Sequence, residues 1–398
     1  MAPRLRSASA LHNVLPEEAL RAVMLALPAD ARARAACVCR SWRAFLADPS
    51  LWQVLDLTAA GGVAAEDVTE NLVLGAVRRA AGQLRVFGLN YVPNVRAWLL
   101  NVFASDGAEL HKVNVGFSLG VEDLRTVFAA APRLQVLNTR LHGYSTTMLP
   151  FLRNDPPYGA LQVSHLRVFL DREDAGDVLA FAAAVAAHES LKKLDLQHMH
   201  LAPGVNALVD AAAERRISWL TIEACELDAA TVPALARLLQ RGSLTRLEVT
   251  CHGFPHAQDE SLPLLCAALH ECRTLTHLRL LLNPPTGVSR RAVTELLDAA
   301  ATLPALSELD LRGSYVQDLA AFGHALGWLL RANLPSLHTL DVSHCRLGDE
   351  GLAPLIDGLA ANTHLRTLQC DMNWASDAFY DRQISALGAL AARANLDA

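Results

Sequence analysis

Apolar residues in this chain recur in a pattern whose clearest copy runs from Leu337 to Leu365, LHTLDVSHCRLGDEGLAPLIDGLAANTHL. Leu337, Leu340 and Val342 predict a short strand, Ser343 to Leu347 a turn, and Gly-Asp-Glu-Gly the start of an amphipathic helix ending near Asn362. Neither half buries its apolar face alone. A lone strand has no ladder partner and a three-turn helix is marginal in water, so the unit predicts stacked copies.

Further copies set strand starts at Leu84, Leu110, Leu134, Val163, Leu191, Ile217, Leu244, Leu275, Leu306, Leu337 and Leu365, after a first strand around Leu55 and Leu57 and a helix to about Ala81. The spacing of about 24 to 31 residues brackets the range of leucine-rich repeats. The longest intervals hold turn-rich stretches, Cys251 to Glu260 and Pro284 to Val288.

The ninth position of each unit should carry a small polar side chain that satisfies the turn leaving the strand. It reads Ser118, His142, Asp171, Cys225, Asn283, Ser314, Cys345 and Asn373, with Val92 and Met199 as misfits. The eleventh should return to the core, and reads Leu201, Leu227, Phe254, Val316 and Leu347. The later units resemble the ribonuclease-inhibitor-like class, and the Cys225 and Cys345 units resemble the cysteine-containing class. The expected fold is therefore α/β, a leucine-rich-repeat solenoid: a horseshoe with parallel strands on the concave face and helices outside.

Before the repeats, LPEEALRAVMLALPADARARAACVCRSWRAFLADPSLW predicts three short helices. Pro16, Glu17 and Glu18 suit a first turn, with Leu20, Val23 and Leu27 at helical spacing. Pro28 ends that helix, Asp30 caps a second running to about Val38, and a third spans roughly Arg40 to Leu46. The order Leu15-Pro16, then Leu20, Val23 and Leu27, then Val38-Cys39-Arg40-Ser41-Trp42-Arg43, then Asp48-Pro49-Ser50-Leu51-Trp52 resembles an F-box. It departs from the family in the second helix, where Ala31, Ala33, Ala35 and Ala36 replace leucines.

The resemblance implies docking to a Skp-type adaptor of a cullin-RING ubiquitin ligase, with Leu15, Pro16, Leu20, Val23, Leu27, Trp42 and Trp52 in or beside the interface. The alternative is a helical cap sealing the first repeat. The expected domains are a disordered tail (1–11), an F-box-like helical domain (12–52), a junction and first capping unit (53–83), and the repeats (84–398), ending in a capping unit.

The 398 residues carry a formal net charge of -6 and no basic face for nucleic acid. No apolar run reaches the ~18 to 20 residues that span a bilayer, and no polybasic stretch suits an anionic membrane. Residues 1–15 lack the apolar core of a secretory signal. Eight cysteines in a chain able to build its own core read as reduced thiols. A soluble cytoplasmic or nuclear protein is expected, with neither nucleic acid nor membrane as partner.

Candidate chemistry is thin. Cys251, His252, His256, Cys266, His270 and Cys272 form the densest metal-ligand-type cluster, but their spacing matches no paired zinc arrangement. Gly116 to Gly120 is expected in a strand-to-helix turn, and the nucleophile elbow, Walker and zincin motifs are missing. No enzyme, metal or cofactor is expected.

What remains is the concave strand face, whose third, fifth and seventh positions point outward. Those proposed to touch a protein target are Trp219, Glu223, Arg246, Glu248, His277, Arg279, Asp310 and Arg312, with Trp219 exposed beside arginine as an anchor. The acidic fifth positions also read as ordinary filler in this repeat class. Three functions fit: a ligase substrate receptor, a ribonuclease-inhibitor-like scaffold without a ligase role, or a Ran-type GTPase activator.

Overall fold

The structure, a computed structural model, describes residues 16–57, 68–89, 102–103, 107–153, 161–169, 175–200, 202–251, 262–282 and 288–379. Outside them lie the 1–11 tail, Leu15, Val92, Asp171, Leu201, His252, Phe254, His256, Asn283 and the C-terminal cap. Two compact units are present, Met1–Gly143 with Pro150–His165, and Tyr144–Leu149 with Leu166–Ala398.

In the first unit, helices α1 (Glu17–Ala26), α2 (Ala29–Ala35) and α3 (Arg40–Phe45) precede a 3-10 turn at Pro49–Trp52. Strands β1 (Val54–Leu57), β2 (Val86–Leu89), β3 (Lys112–Leu119) and β4 (Val136–Tyr144) follow, with α4 (Glu70–Ala80) and α5 (Val121–Ala130) between them. The strands pair parallel in chain order, with Val54, Val86, Lys112 and Val136 in one row. Parallel pairing requires a crossover between strands, which the helices supply.

Local chemistry explains the breaks. Pro16 and Pro28 occupy the cap positions of α1 and α2, since a residue without an N–H loses nothing there. Asp30 lies in the first turn of α2 rather than capping it, and pairs with Arg34. Asp48 caps the 3-10 turn, accepting from the Ser50 amide at 3.0 Å. Gly116 to Leu119 belong to β3, and only Gly120 is a turn residue. The glycines were expected past the strand; the strand instead extends until Gly120 hands directly to α5.

Helix α6 (Ser145–Leu152) and strand β5 (Leu161–Phe169) span the division between the units. In the second unit, helices α7 (Ala175–Ala187), α8 (Ala202–Arg215), α9 (Thr231–Gln240), α10 (Leu262–Glu271), α11 (Arg290–Ala301), α12 (Leu319–Arg331) and α13 (Gly348–Leu359) alternate with strands. Those strands are β6 (Lys193–Gln197), β7 (Trp219–Glu223), β8 (Arg246–Thr250), β9 (His277–Leu280), β10 (Glu308–Asp310), β11 (Thr339–Asp341) and β12 (Thr367–Gln369). They also pair parallel in chain order, so Leu194, Leu220, Leu247, Leu278, Leu309, Leu340 and Leu368 form one stacked row. All but Leu368, on the last strand, are buried.

Each of β6 to β12 opens two residues after its expected start, a leucine except for Ile217 before β7, and each of those residues is buried. Strand β5 alone begins earlier, at Leu161, while Val163, Leu166 and Val168 keep the common phase and are buried. These are leucine-rich repeats.

The ninth-position side chains close the stack. The Asn373 side chain accepts from the Cys345 amide at 3.0 Å and donates to the Val342 carbonyl of the preceding repeat at 2.8 Å. Cys345 donates to the Leu311 carbonyl at 3.2 Å, Ser314 to Leu280 at 3.3 Å and Cys225 to Leu196 at 3.5 Å. Each reaches back one repeat, so buried carbonyls between strands keep a partner. Met199, the misfit, is fully buried and fills its turn apolarly.

Helices α12 and α13 pack backbone to backbone through glycines. A side chain at Gly323 would strike the Gly351 backbone, and one at Gly327 the Pro354 carbonyl. Small residues four apart on one helix face permit that contact.

Candidate functional site

Two surfaces carry the predicted residues. On the strand face of the second unit, third-position side chains Lys193, Trp219, Arg246, His277 and Glu308 stand in register, and fifth-position side chains Asp195, Thr221, Glu248, Arg279, Asp310 and Asp341 form the adjacent row. Register between strands brings together charges some thirty positions apart in sequence.

The result is a ladder of ion pairs. Arg246 Nε lies 2.5 Å from Glu248 Oε1; Arg279 reaches Glu248 at 4.0 Å and Asp310 at 3.1 Å. Arg312 reaches Asp310 at 3.0 Å and Asp341 at 3.4 Å. At the β6 end, Lys193 and Arg167 hold Asp195 at 3.4 and 3.6 Å. The fifth-position acids Asp195, Asp310 and Asp341 are buried, each with cationic partners on the same face. A buried carboxylate without such partners would be strongly destabilising.

Trp219 is half-buried rather than open. Lys193 Nζ stands 3.5 Å and Arg246 Cζ 4.4 Å from its ring centroid, and its Nε1 donates to Thr221 at 3.1 Å. Burial lowers the Lys193 pKa below its ordinary value, against the pull of Asp195. Glu223 is exposed and accepts from Gln197 at 2.9 Å. A shallow depression of about 110 Å³ is lined by Arg246, Glu248, His277, Arg279, Asp310 and Arg312, among others. Pocket and ladder thus coincide. Missed in the sequence were Arg167, which sits on β5, and Arg346, which sits past β11 between Trp374 and Tyr315.

On the first unit, the N-terminal helices divide the predicted docking residues. Leu20 and Trp52 are buried, Leu27 and Trp42 are half-buried, and Pro16 and Val23 are exposed. Leu25 and Val38, not among the predicted docking residues, are also exposed, at 51% and 54% against 48% for Val23. The Trp42 indole N–H is buried with no hydrogen-bond partner among the described residues.

Trp52 holds the core. It stands in the buried phase of the first strand with Leu55 and Leu57, donates to the Leu46 carbonyl at 2.8 Å, and has the Arg32 and Arg79 guanidiniums each 5.3 Å from its ring. Arg32 is itself buried and donates to the carbonyls of Leu51 and Val54.

The cysteines of the repeats serve packing. Cys225, Cys251, Cys266, Cys272 and Cys345 are buried, and burial pushes the Cys266 and Cys345 thiols up to about 12. His270 is exposed, at hydrogen-bond distance from Thr302. Among the described residues, no group of three His, Cys, Asp or Glu side chains could hold a metal ion, and no helix is long and apolar enough to cross a membrane.

Residues 12–58 match the F-box-like family, a span that includes β1. The chain is 28% identical over 202 residues to human NACHT, LRR and PYD domains-containing protein 12, which covers 49% of this chain and 18% of that protein. It is 29% identical over 168 residues to human NACHT, LRR and PYD domains-containing protein 13, covering 40% of this chain and 15% of that protein. The chain thus spans less than a fifth of the length of these relatives. The crystal structure of the Rad7 and Elc1 complex in yeast aligns over 80% of this chain and 86% of that chain, at 16% identity and a TM-score of 0.43.

Proposed function

We propose, from the premise that this chain joins an F-box-like segment to leucine-rich repeats, that it is the target-recognition subunit of an SCF-type cullin-RING ubiquitin ligase. In this reading the N-terminal helices dock on a Skp-type adaptor and the inner strand face of the repeats holds a protein target, in the cytoplasm or nucleus. The protein itself does no chemistry. It raises the effective concentration of target lysines near a conjugating enzyme.

The observation that carries this reading is the F-box-like match over residues 12–58, on helices that leave Val23, Leu25 and Val38 exposed. Exposed apolar side chains on a small helical unit suit a partner surface. The domain bounds follow the same division, with adaptor docking assigned to 12–52 and target binding to the repeats from 84 onward.

The test is co-purification with a Skp-type adaptor. Leu15→Ala with Pro16→Ala, or Val23→Asp with Leu25→Asp, should reduce capture by about tenfold or more, the scale of losing central interface anchors. Undiminished capture by both pairs would overturn the ligase assignment. A repeat scaffold without a ligase role is the second reading, favoured by the similarity to human proteins whose names carry an LRR domain and no F-box.

A further inference from the structure

We infer that the inner strand face receives an extended acidic protein segment, with carboxylates on alternate residues, laid diagonally along Arg246, Arg279 and Arg312. This rests on the reading of that face as the target-holding surface, and adds the chemistry of the target.

The line follows from register. Arg246 pairs with His277, so Arg279 lies two residues further along the next strand; Arg279 pairs with Asp310, so Arg312 again lies two further. On the strands that advance keeps Arg246 and Arg279 on one face, and Arg312, on the turn just after β10, joins them by pairing with Asp310 at 3.0 Å and lining the same depression. Crossing one strand moves about 4.8 Å sideways and two residues move about 6.7 Å along, so successive arginines step by about 8 Å. Alternate residues of an extended chain are about 6.7 Å apart on one side, and flexible guanidinium and carboxylate side chains absorb the remainder over two steps.

The layering decides the sign of the ligand. The carboxylates lie underneath, with Glu248, Asp310 and Asp341 side chains 12%, 9% and 6% exposed. The arginines lie above, with Arg246, Arg279 and Arg312 side chains 30%, 39% and 44% exposed. The face is close to balanced in charge and cationic in its outer layer. A guanidinium carries five N–H donors in a planar fork, and the ladder engages one or two nitrogens of each. A carboxylate arriving from solvent meets donors; an ammonium would have to separate buried pairs.

Past Arg312, Arg346 lies on the turn after β11, exposed, with its guanidinium 4.7 Å from the Trp374 ring and 6.0 Å from that of Tyr315. It offers a further cation beyond the line with apolar surface around it, since Trp374 is 68% exposed. Glu308, the exposed acid of the depression, stands 3.3 Å from His277 in the third-position row.

The experiment measures fluorescence anisotropy of the full chain with three synthetic peptides of equal length: glutamates alternating with serines, the same residues as one glutamate block and one serine block, and lysines alternating with serines. The alternating glutamate peptide should bind about tenfold more tightly than either other peptide, and weaken as salt rises from about 50 to about 300 mM. Arg279→Gln combined with Asp310→Asn keeps the buried charge balanced, and should weaken binding about tenfold, as should the exposed Arg346→Gln by about threefold. Thermal melts of both variants establish folding.

Equal or tighter binding of the lysine peptide, no binding of any peptide, or unchanged binding by both variants would overturn the acidic assignment. Adaptor capture, read through the N-terminal helices, would stand or fall independently of each result.

Discussion

The repeats of the second unit and the N-terminal helices of the first solve the same problem of burial in opposite ways. In the repeats, each apolar position is covered by its equivalents in neighbouring strands, as in the row Leu309, Leu340 and Leu368, and charged groups collect on the strand face in pairs. The N-terminal helices have no equivalent copy beside them. They bury an arginine, Arg32, against Trp52 and backbone carbonyls while Val23, Leu25 and Val38 stay exposed. The repeats expose large side chains too, Trp328 and Trp374 among them, so the difference lies in how the core is closed: by copies of one leucine row in the repeats, and by an arginine on a tryptophan in the N-terminal helices.

The comparison predicts where substitutions will hurt. Leu340 is fully buried in the stacked row, and Leu340→Ala should lower unfolding stability by about 2 to 5 kcal/mol, measured by chemical denaturation. A loss below about 1 kcal/mol would mean that the row does not form the core. Asn373→Ala should follow, since its buried amide bonds four backbone groups. Leaving buried amides and carbonyls unpaired costs about 1 to 3 kcal/mol, and the same denaturation reads it.

The exposed apolar residues of α1 should behave differently. Val23→Ser with Leu25→Ser should change stability by about 0.5 kcal/mol or less, while adaptor capture falls. A large stability loss would make these side chains core and erase the contrast with the repeats.

The smallest effect is one of pH. Hydrogen bonds from the Ser50 hydroxyl and amide, and then from Arg21, hold the Asp48 carboxyl below its ordinary value of 3.8. A lowered folded-state pKa contributes stability above the unfolded value, and that stability is lost as pH falls through the folded one. The side chain is 40% exposed, so solvent weakens the effect. Asp48→Asn should lower the melting temperature slightly at neutral pH, where that contribution is present, and the variant and parent profiles should converge as pH falls below 3.8.

Much of the fold was legible because burial in a repeat is a local rule written many times. Leu337, Leu340 and Val342 state it once, and Leu275, Leu278 and Leu280 state it again, so the strand phase survives even where a boundary shifts, as in β5. The ninth position was legible for the same reason: Cys225, Ser314, Cys345 and Asn373 each satisfy the preceding turn. The site residues could be placed on a face but not joined into pairs. That Arg279 bridges Glu248 and Asp310 depends on which residues stand opposite across two strands, and loops of unequal length conceal this.

The sequence by itself determined the repeat phase, the helix breaks at Pro28 and Asp48-Pro49, and the resemblance of residues 15–52 to an F-box. Only the tertiary structure decided that Trp52 belongs to the buried phase of the first strand, that Arg32 is buried against its ring, and that the acids of the strand face lie beneath arginines. The physical reason is range. Hydrophobic period and backbone-breaking residues act within a few positions of one another, whereas ion pairing and cation–aromatic packing act across strands and helices that only folding brings together.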